Sequence, residues 1–245
     1  MEEIPSRPYA FPIMTIAGIR QSITALQRHV DRAIWTESCS ECGRRGSWVC
    51  GTCQPVVQPT GTPDCARCGV SGGRTCECAD LPVQLDRIQT AYPFRGWVRS
   101  SIHRFKFRGE FARSPYLAAA TTPHLDLAGI DLLVPVPIHR DREHDRGFNQ
   151  SALLTRDIAA QTGIPVNLDA LVRSVKRRPQ VGRSLQQRWD AVAGVFTVID
   201  AMAITGMHIA VVDDVITTGA TVSECAVVLM ASGAASVSAI AIARG

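Results

Sequence analysis

The chain has 245 residues, 46% apolar and 20% charged, with a formal net charge of +4. This is the composition of a globular protein, not a disordered one, and the length suits one α/β domain with a smaller appendage. No window approaches the roughly 18 consecutive apolar residues of a membrane span, and no apolar signal-peptide core stands at the start, so a reducing cytoplasm is the expected location.

Charge is unevenly placed. Residues 95–109 hold Arg95, Arg99, Arg104, Lys106 and Arg108 with no acid, and residues 138–188 hold ten basic residues against five acidic ones. An anionic ligand or partner is implied.

Three parts follow in chain order. Residues 1–35 are expected to carry an amphipathic helix, because Ile16, Ile19, Ile23, Leu26, Val30 and Ile34 recur at helical spacing among Arg20, Gln27, Arg28 and Asp31. Residues 36–80 hold eight of the nine cysteines, together with Gly and Pro but few periodic apolar residues. They run Cys39-x2-Cys42, Cys50-x2-Cys53, Cys65-x2-Cys68 and Cys76-x-Cys78. A C-x2-C pair on a tight turn sets two thiolates about 3.7 Å apart, as a tetrahedral zinc with Zn–S bonds of about 2.3 Å requires. Gly43 and Gly69 follow Cys42 and Cys68 and let the backbone fold over the metal. Two structural zinc ions are therefore expected. Sequential pairing of the four cysteine pairs and an interleaved arrangement are both open. Zinc would supply the folding energy that a core-poor segment lacks.

Residues 85–245 change in texture. Strands are expected near 85–92, 132–136, 166–172, 194–198, 208–212 and 236–243, and helices over 98–107, 148–162 and 222–232, with an arginine-rich loop over 174–188. The alternation predicts an α/β fold, a mainly parallel sheet with flanking helices.

The sharpest motif is residues 209–225, IAVVDDVITTGATVSEC. An apolar strand runs into Asp213 and Asp214, and Thr217, Thr218, Gly219, Ala220 and Thr221 then lead into a helix. Small residues let successive backbone N–H groups converge on a phosphate, and the helix adds its free amides and dipole. The carboxylates can accept hydrogen bonds from neighbouring ribose hydroxyls beside a divalent cation. No G-K-[ST] follows, so this is not a P-loop.

The block resembles the phosphoribosyl pyrophosphate (PRPP) motif of type I phosphoribosyltransferases. Together with the cysteine prelude, Phe105-Lys106-Phe107 and residues 134–150 (VPVPIHRDREHDRGFNQ), it resembles the ComF family of competence-associated, phosphoribosyltransferase-like proteins. The resemblance implies that Asp213 and Asp214 hold the ribose 2′ and 3′ hydroxyls, that residues 217–221 hold the 5′-phosphate, and that Mg²⁺ accompanies PRPP. It implies a pyrophosphate loop at Pro135, Val136, Pro137, His139, Arg140 and Arg142, and a lid containing Lys176, Arg177, Arg178, Gln180 and Arg188. Arg177 and Arg178 stand where a Thr is expected before Pro179, and Ala191 where an Asn is expected after Arg188, so the lid departs from the family pattern. The activity implied is transfer of phosphoribosyl to a nitrogen nucleophile whose identity no motif reveals. Two other classes are compatible with these residues. One is a single-stranded DNA-handling protein working with a DNA-uptake or helicase partner, with Trp35, Trp48, Trp97 and Phe105 as stacking faces. The other is a PRPP sensor without turnover.

Overall fold

Among the described residues, 37–61, 65, 85–174 and 193–245 of a computed structural model, eleven regular elements follow one another. In chain order they are β1 (Ile88–Pro93), α1 (Gly96–Phe107), α2 (Ser114–Thr121), β2 (Leu132–Pro135), α3 (Arg140–Arg146) and α4 (Gln150–Thr162). After these come β3 (Leu171–Arg173), β4 (Phe196–Val198), β5 (His208–Ile216), α5 (Ala220–Ala231) and β6 (Ser236–Arg244). The expected helix within 1–35, Cys68, Cys76, Cys78 and the lid residues 176–188 lie outside the described residues.

β1, β6, β5 and β2 form a sheet in that order, and every neighbouring pair is parallel. Strand alternation sends Ile209 and Val211 of β5 to one face and Ala210 and Val212 to the other. The first face, with Val237, Ala239 and Ala241 of β6, packs on Val222, Cys225, Ala226 and Leu229 of α5. The second, with Ile240 and Ile242, packs on Trp97, Val98, Ile102 and Phe105 of α1, Leu117 and Ala118 of α2, and Leu154 and Ile158 of α4. Burial on both faces explains why β5 and β6 read as continuous apolar runs.

The structure adjusts several expected boundaries. Val166 makes only a parallel bridge to Leu133, and the regular strand there, β3, pairs antiparallel with β4 in a separate ribbon. The short helices α2 and α3 had no apolar period to announce them. α2 is mostly small residues behind a Pro near its start. α3, RDREHDR, is wholly polar and is defined by its ends, His139 capping the Asp141 N–H and Gly147 closing it.

The described cysteine segment shares the second face's core. Cys39, Val49, Cys50 and Val57 are buried with Trp97 and Ile102, the Trp97 indole N–H donates to the Gln54 carbonyl, and the Thr60 N–H donates to Ala91 O on the edge strand β1. Arg113, fully buried just before α2, binds the segment from below. Its guanidinium pairs with buried Glu110, donates to Ser38 O, Ser40 Oγ and Trp48 O at 2.9–3.1 Å, and lies 4.4 Å from the centroid of Trp48. Burial disfavours the charged form of an arginine. Glu110 opposes that, and the guanidinium is held only somewhat below its ordinary range.

Replacing Arg113 with Met should therefore leave buried Glu110 with only the more distant Arg104, 3.7 Å away, at a cost of up to about 3–5 kcal/mol. Urea unfolding should show that loss, and adding Glu110→Gln should recover part of it. A change within 1 kcal/mol would show that the pair does not fasten the cysteine segment.

Candidate functional site

β2 ends at Pro135 opposite Val212, while β5 continues beside β6 to Ile216. Asp213 and Asp214 thus lie inside the strand, not after it as the apolar run suggested, and have no β2 residue beside them. The ends of parallel strands open here into a crevice, the usual ligand position in open α/β sheets. Residues 217–219 turn the chain into α5, and Gly219 takes φ +82°, where a Cβ would be strained and would meet Ile88 Cδ1 at 3.4 Å. Among the described residues, the backbone N–H groups of Thr217, Thr218 and Gly219 donate to no backbone acceptor. Asp213, Thr217, Thr218, Gly219, Ala220 and Thr221 line a small concavity open to solvent. Converging amides at a helix start, with hydroxyls between them, can hold a phosphate.

The two acids differ. Asp214, 3% exposed, continues the Ala210 and Val212 face toward α1, where Lys106 Nζ lies 2.7 Å from its Oδ1. Asp213 accepts from the Ser151 hydroxyl and from the Asp214 N–H, each at 2.9 Å. Burial first, and the Asp214 charge second, push the Asp213 carboxyl up to about 7, against the attraction of Lys106. The Asp213 carboxyl thus holds a proton over part of the neutral range unless a cation or hydroxyl donors arrive.

The two family-like blocks meet at this point. Phe105 packs on Phe148, ring centroids 5.8 Å apart. Arg146 lies over Phe107 at 5.2 Å, and its Nη1 donates to Gln150 Oε1. Asn149 caps α4 through the Ser151 and Ala152 N–H groups, and its amide donates to Val136 O, which ties α4 to the end of β2. Of the expected pyrophosphate-loop residues, Pro135, Val136 and Pro137 are buried, His139 is half-buried, and Arg140 and Arg142 are exposed on α3. Burial, and then repulsion from Arg142, lower the guanidinium affinities of both Arg146 and Arg173. Asp214 attracts Arg146. Arg142 thus stands within electrostatic reach of both Arg146 and Arg173, and of these Arg146 is the one near the acid pair.

Ser151, Arg173 and the pairing role of Lys106 were not read from the sequence. A lone serine or arginine carries no spacing signal, and Lys106 was counted among the basic surface residues. The expected stacking faces Trp48, Trp97 and Phe105 are buried core residues.

Cys39, Cys42, Cys50 and Cys53 come together, their sulfurs all within 4.8 Å of one another. Gly43, at φ +75°, makes the first knuckle turn. The pairing of the first quartet is therefore sequential. The four thiols are not alike. Burial opposes the Cys39 thiolate, but the N–H groups of Cys42, Cys50 and Glu41 outweigh it and bring this thiol to about 6. Hydrogen bonding with Cys50, then burial, push Cys53 up to about 12. Four crowded thiols divided in this way form a donor set able to hold a metal ion. Cys65 is half-buried against the first face's core. Among the described residues, no helix is long and apolar enough to cross a membrane.

The chain is 30% identical over 206 residues to DNA utilization protein YhgH of Escherichia coli K12, covering 78% of this chain and 88% of the relative. It is 30% identical to Competence protein F of Haemophilus influenzae over 76% of this chain and 85% of the relative. It is 28% identical to Competence protein ComFC of Bacillus subtilis over 80% and 84%. No protein-family model matches. Similar solved structures include a Bacillus subtilis glutamine PRPP amidotransferase (TM-score 0.38, 21% identity, 54% of this chain and 26% of that one). Another is an adenine phosphoribosyltransferase from Leishmania tarentolae (TM-score 0.32, 19% identity, 58% and 59%).

The raised Asp213 carboxyl has a consequence for stability. The folded chain binds this proton more tightly than the unfolded chain, so stability falls as pH rises from about 4 to 7, and the full cost is present above 7. Asp213→Asn, which keeps an acceptor for Ser151, should stabilise the unliganded protein more at pH 8 than at pH 5. The gain is at most about 4 kcal/mol and less to the extent that water reaches the carboxyl. Thermal unfolding at the two pH values checks it, and an equal effect at both would contradict the raised carboxyl.

Proposed function

The chain belongs to the ComF family of competence proteins, and from that premise we propose that it is a PRPP-binding protein of the phosphoribosyltransferase type. The observation that carries the reading is the acid pair on β5, which lies past the end of β2 and is followed by the Thr-Thr-Gly-Ala-Thr turn at the start of α5. In this reading the 5′-phosphate takes the free amides and hydroxyls of residues 217–221, and the ribose 2′ and 3′ hydroxyls donate to Asp213 and Asp214. Those hydroxyls replace part of what Lys106 and Ser151 now give the acids. The pyrophosphate falls to the positive side of the crevice, where Arg142, Arg146 and the buried turn at residues 135–137 converge, and the basic residues 176–188 are the proposed lid. Mg²⁺, when bound with PRPP, would neutralise the pyrophosphate.

The reaction this site suits is a displacement. A nitrogen lone pair forms a bond to C1 of the ribose as the C1–O bond to pyrophosphate breaks, and the nitrogen then gives up its proton to water. Such a step needs position and charge stabilisation more than a nucleophilic side chain. The cysteine quartet is proposed to hold structural zinc, because four thiolates with no vacant position leave no place for substrate.

A second reading, single-stranded DNA handling, is favoured by the names of the relatives and by exposed Arg95, Arg99 and Arg108 near α1. Lys106 does not belong to that surface, since Asp214 holds it.

Calorimetric titration with PRPP and Mg²⁺ tests the first reading. Replacing both Asp213 and Asp214 by Asn should weaken binding about 10- to 150-fold per site while the protein stays folded. Unchanged affinity would mean that the turn serves another ligand. Elemental analysis after purification under reducing conditions should find about two zinc ions per chain, falling by one in a Cys42→Ser, Cys53→Ser variant. Iron, or no metal, would remove the zinc assignment.

A further inference from the structure

Phe107 breaks the pattern of α1. Trp97, Val98, Ile102 and Phe105 bury the helix, yet one residue past Lys106 the Phe107 side chain is 61% exposed. It is not solitary. The exposed His103 ring lies 4.8 Å away, tilted by 48°, and the half-buried Arg146 guanidinium lies over the phenyl ring. Arg146 has five N–H donors, and Gln150 takes one of them. Gln150 is itself 2% exposed, and its Nε2 has no hydrogen-bond partner among the described residues. Lys106, the chain neighbour of Phe107, is the residue on Asp214, and Asp214 also attracts Arg146. An exposed aromatic face, a planar cation with spare donors and a buried amide thus gather at the rim of the acid pair.

That combination suits a flat ring with acceptor atoms on its edge. A nucleobase has a π face to stack on Phe107 and carbonyl or ring-nitrogen acceptors to meet Arg146. A sugar, a phosphate or an aliphatic amine lacks the stacking face. We propose that Phe107 and Arg146 form a nucleobase-stacking wall on the phosphoribosyl site, so that a base is held beside C1 of the ribose. The inference rests on the reading of the turn after β5 as a phosphoribosyl site. The base can come from a small acceptor or product, or from a strand of DNA, and the two sources are separable by experiment.

The test uses the full chain and three probes: ribose 5-phosphate, a nucleoside 5′-monophosphate, and a thymidine oligonucleotide without a terminal phosphate. The monophosphate should bind more tightly than ribose 5-phosphate. Phe107→Ala should remove that advantage, about 5- to 100-fold, and leave ribose 5-phosphate unchanged, while Phe107→Trp should keep it. If the oligonucleotide responds to Phe107→Ala and the monophosphate does not, the wall holds bases of a strand. Equal affinities of monophosphate and ribose 5-phosphate, with neither monophosphate nor oligonucleotide weakened by Phe107→Ala, would overturn the wall. Failure of ribose 5-phosphate to bind at all would overturn the phosphoribosyl reading, and the wall then stands or falls on the oligonucleotide alone.

Discussion

Two carboxylates on consecutive residues of a buried strand repel each other and lose water together, so a fold that keeps them must supply compensation. Here the compensation comes from three directions. Lys106 reaches Asp214 from the end of α1, Ser151 reaches Asp213 from the start of α4, and β2 stops short so that Asp213 borders the crevice. The compensation is incomplete, because the Asp213 carboxyl is still pushed up to about 7.

The same helix ties this site to the cysteine segment. α1 begins with Trp97 bonded to Gln54, carries Ser101 against Ser40 at 2.5 Å, and ends with Lys106 on Asp214. The cysteine quartet is therefore built into the layer that places the lysine, and Arg113 secures it with a buried charge pair.

The family-like blocks gain a physical meaning from this arrangement. Phe105-Lys106-Phe107 and residues 146–150 are far apart in the chain but interlock residue by residue. Phe105 meets Phe148 in the core, Phe107 meets Arg146 at the rim, and Asn149 starts the helix that brings Ser151 to Asp213.

Much of this was legible beforehand. Periodicity marked the apolar strands and the long helices, because burial on one or both faces leaves a period in the residues themselves. The turn from β5 into α5 was legible from its run of small and hydroxyl residues, and the gathering of the first cysteine quartet from its two C-x2-C pairs. α3 was hidden, since a short polar helix set by its caps has no period. So was the extension of β5 through the acids, since a strand that carries charge at its end no longer reads as apolar. Charge partners were hidden most completely. Lys106 looked like one more basic surface residue and Phe105 like a stacking face. Only the packing of α1 against the sheet decided that Phe105 would be core, Phe107 rim and Lys106 the counter-charge of Asp214. A side chain's charge is written in the sequence, but its partner is chosen by residues that the chain brings near only when it folds.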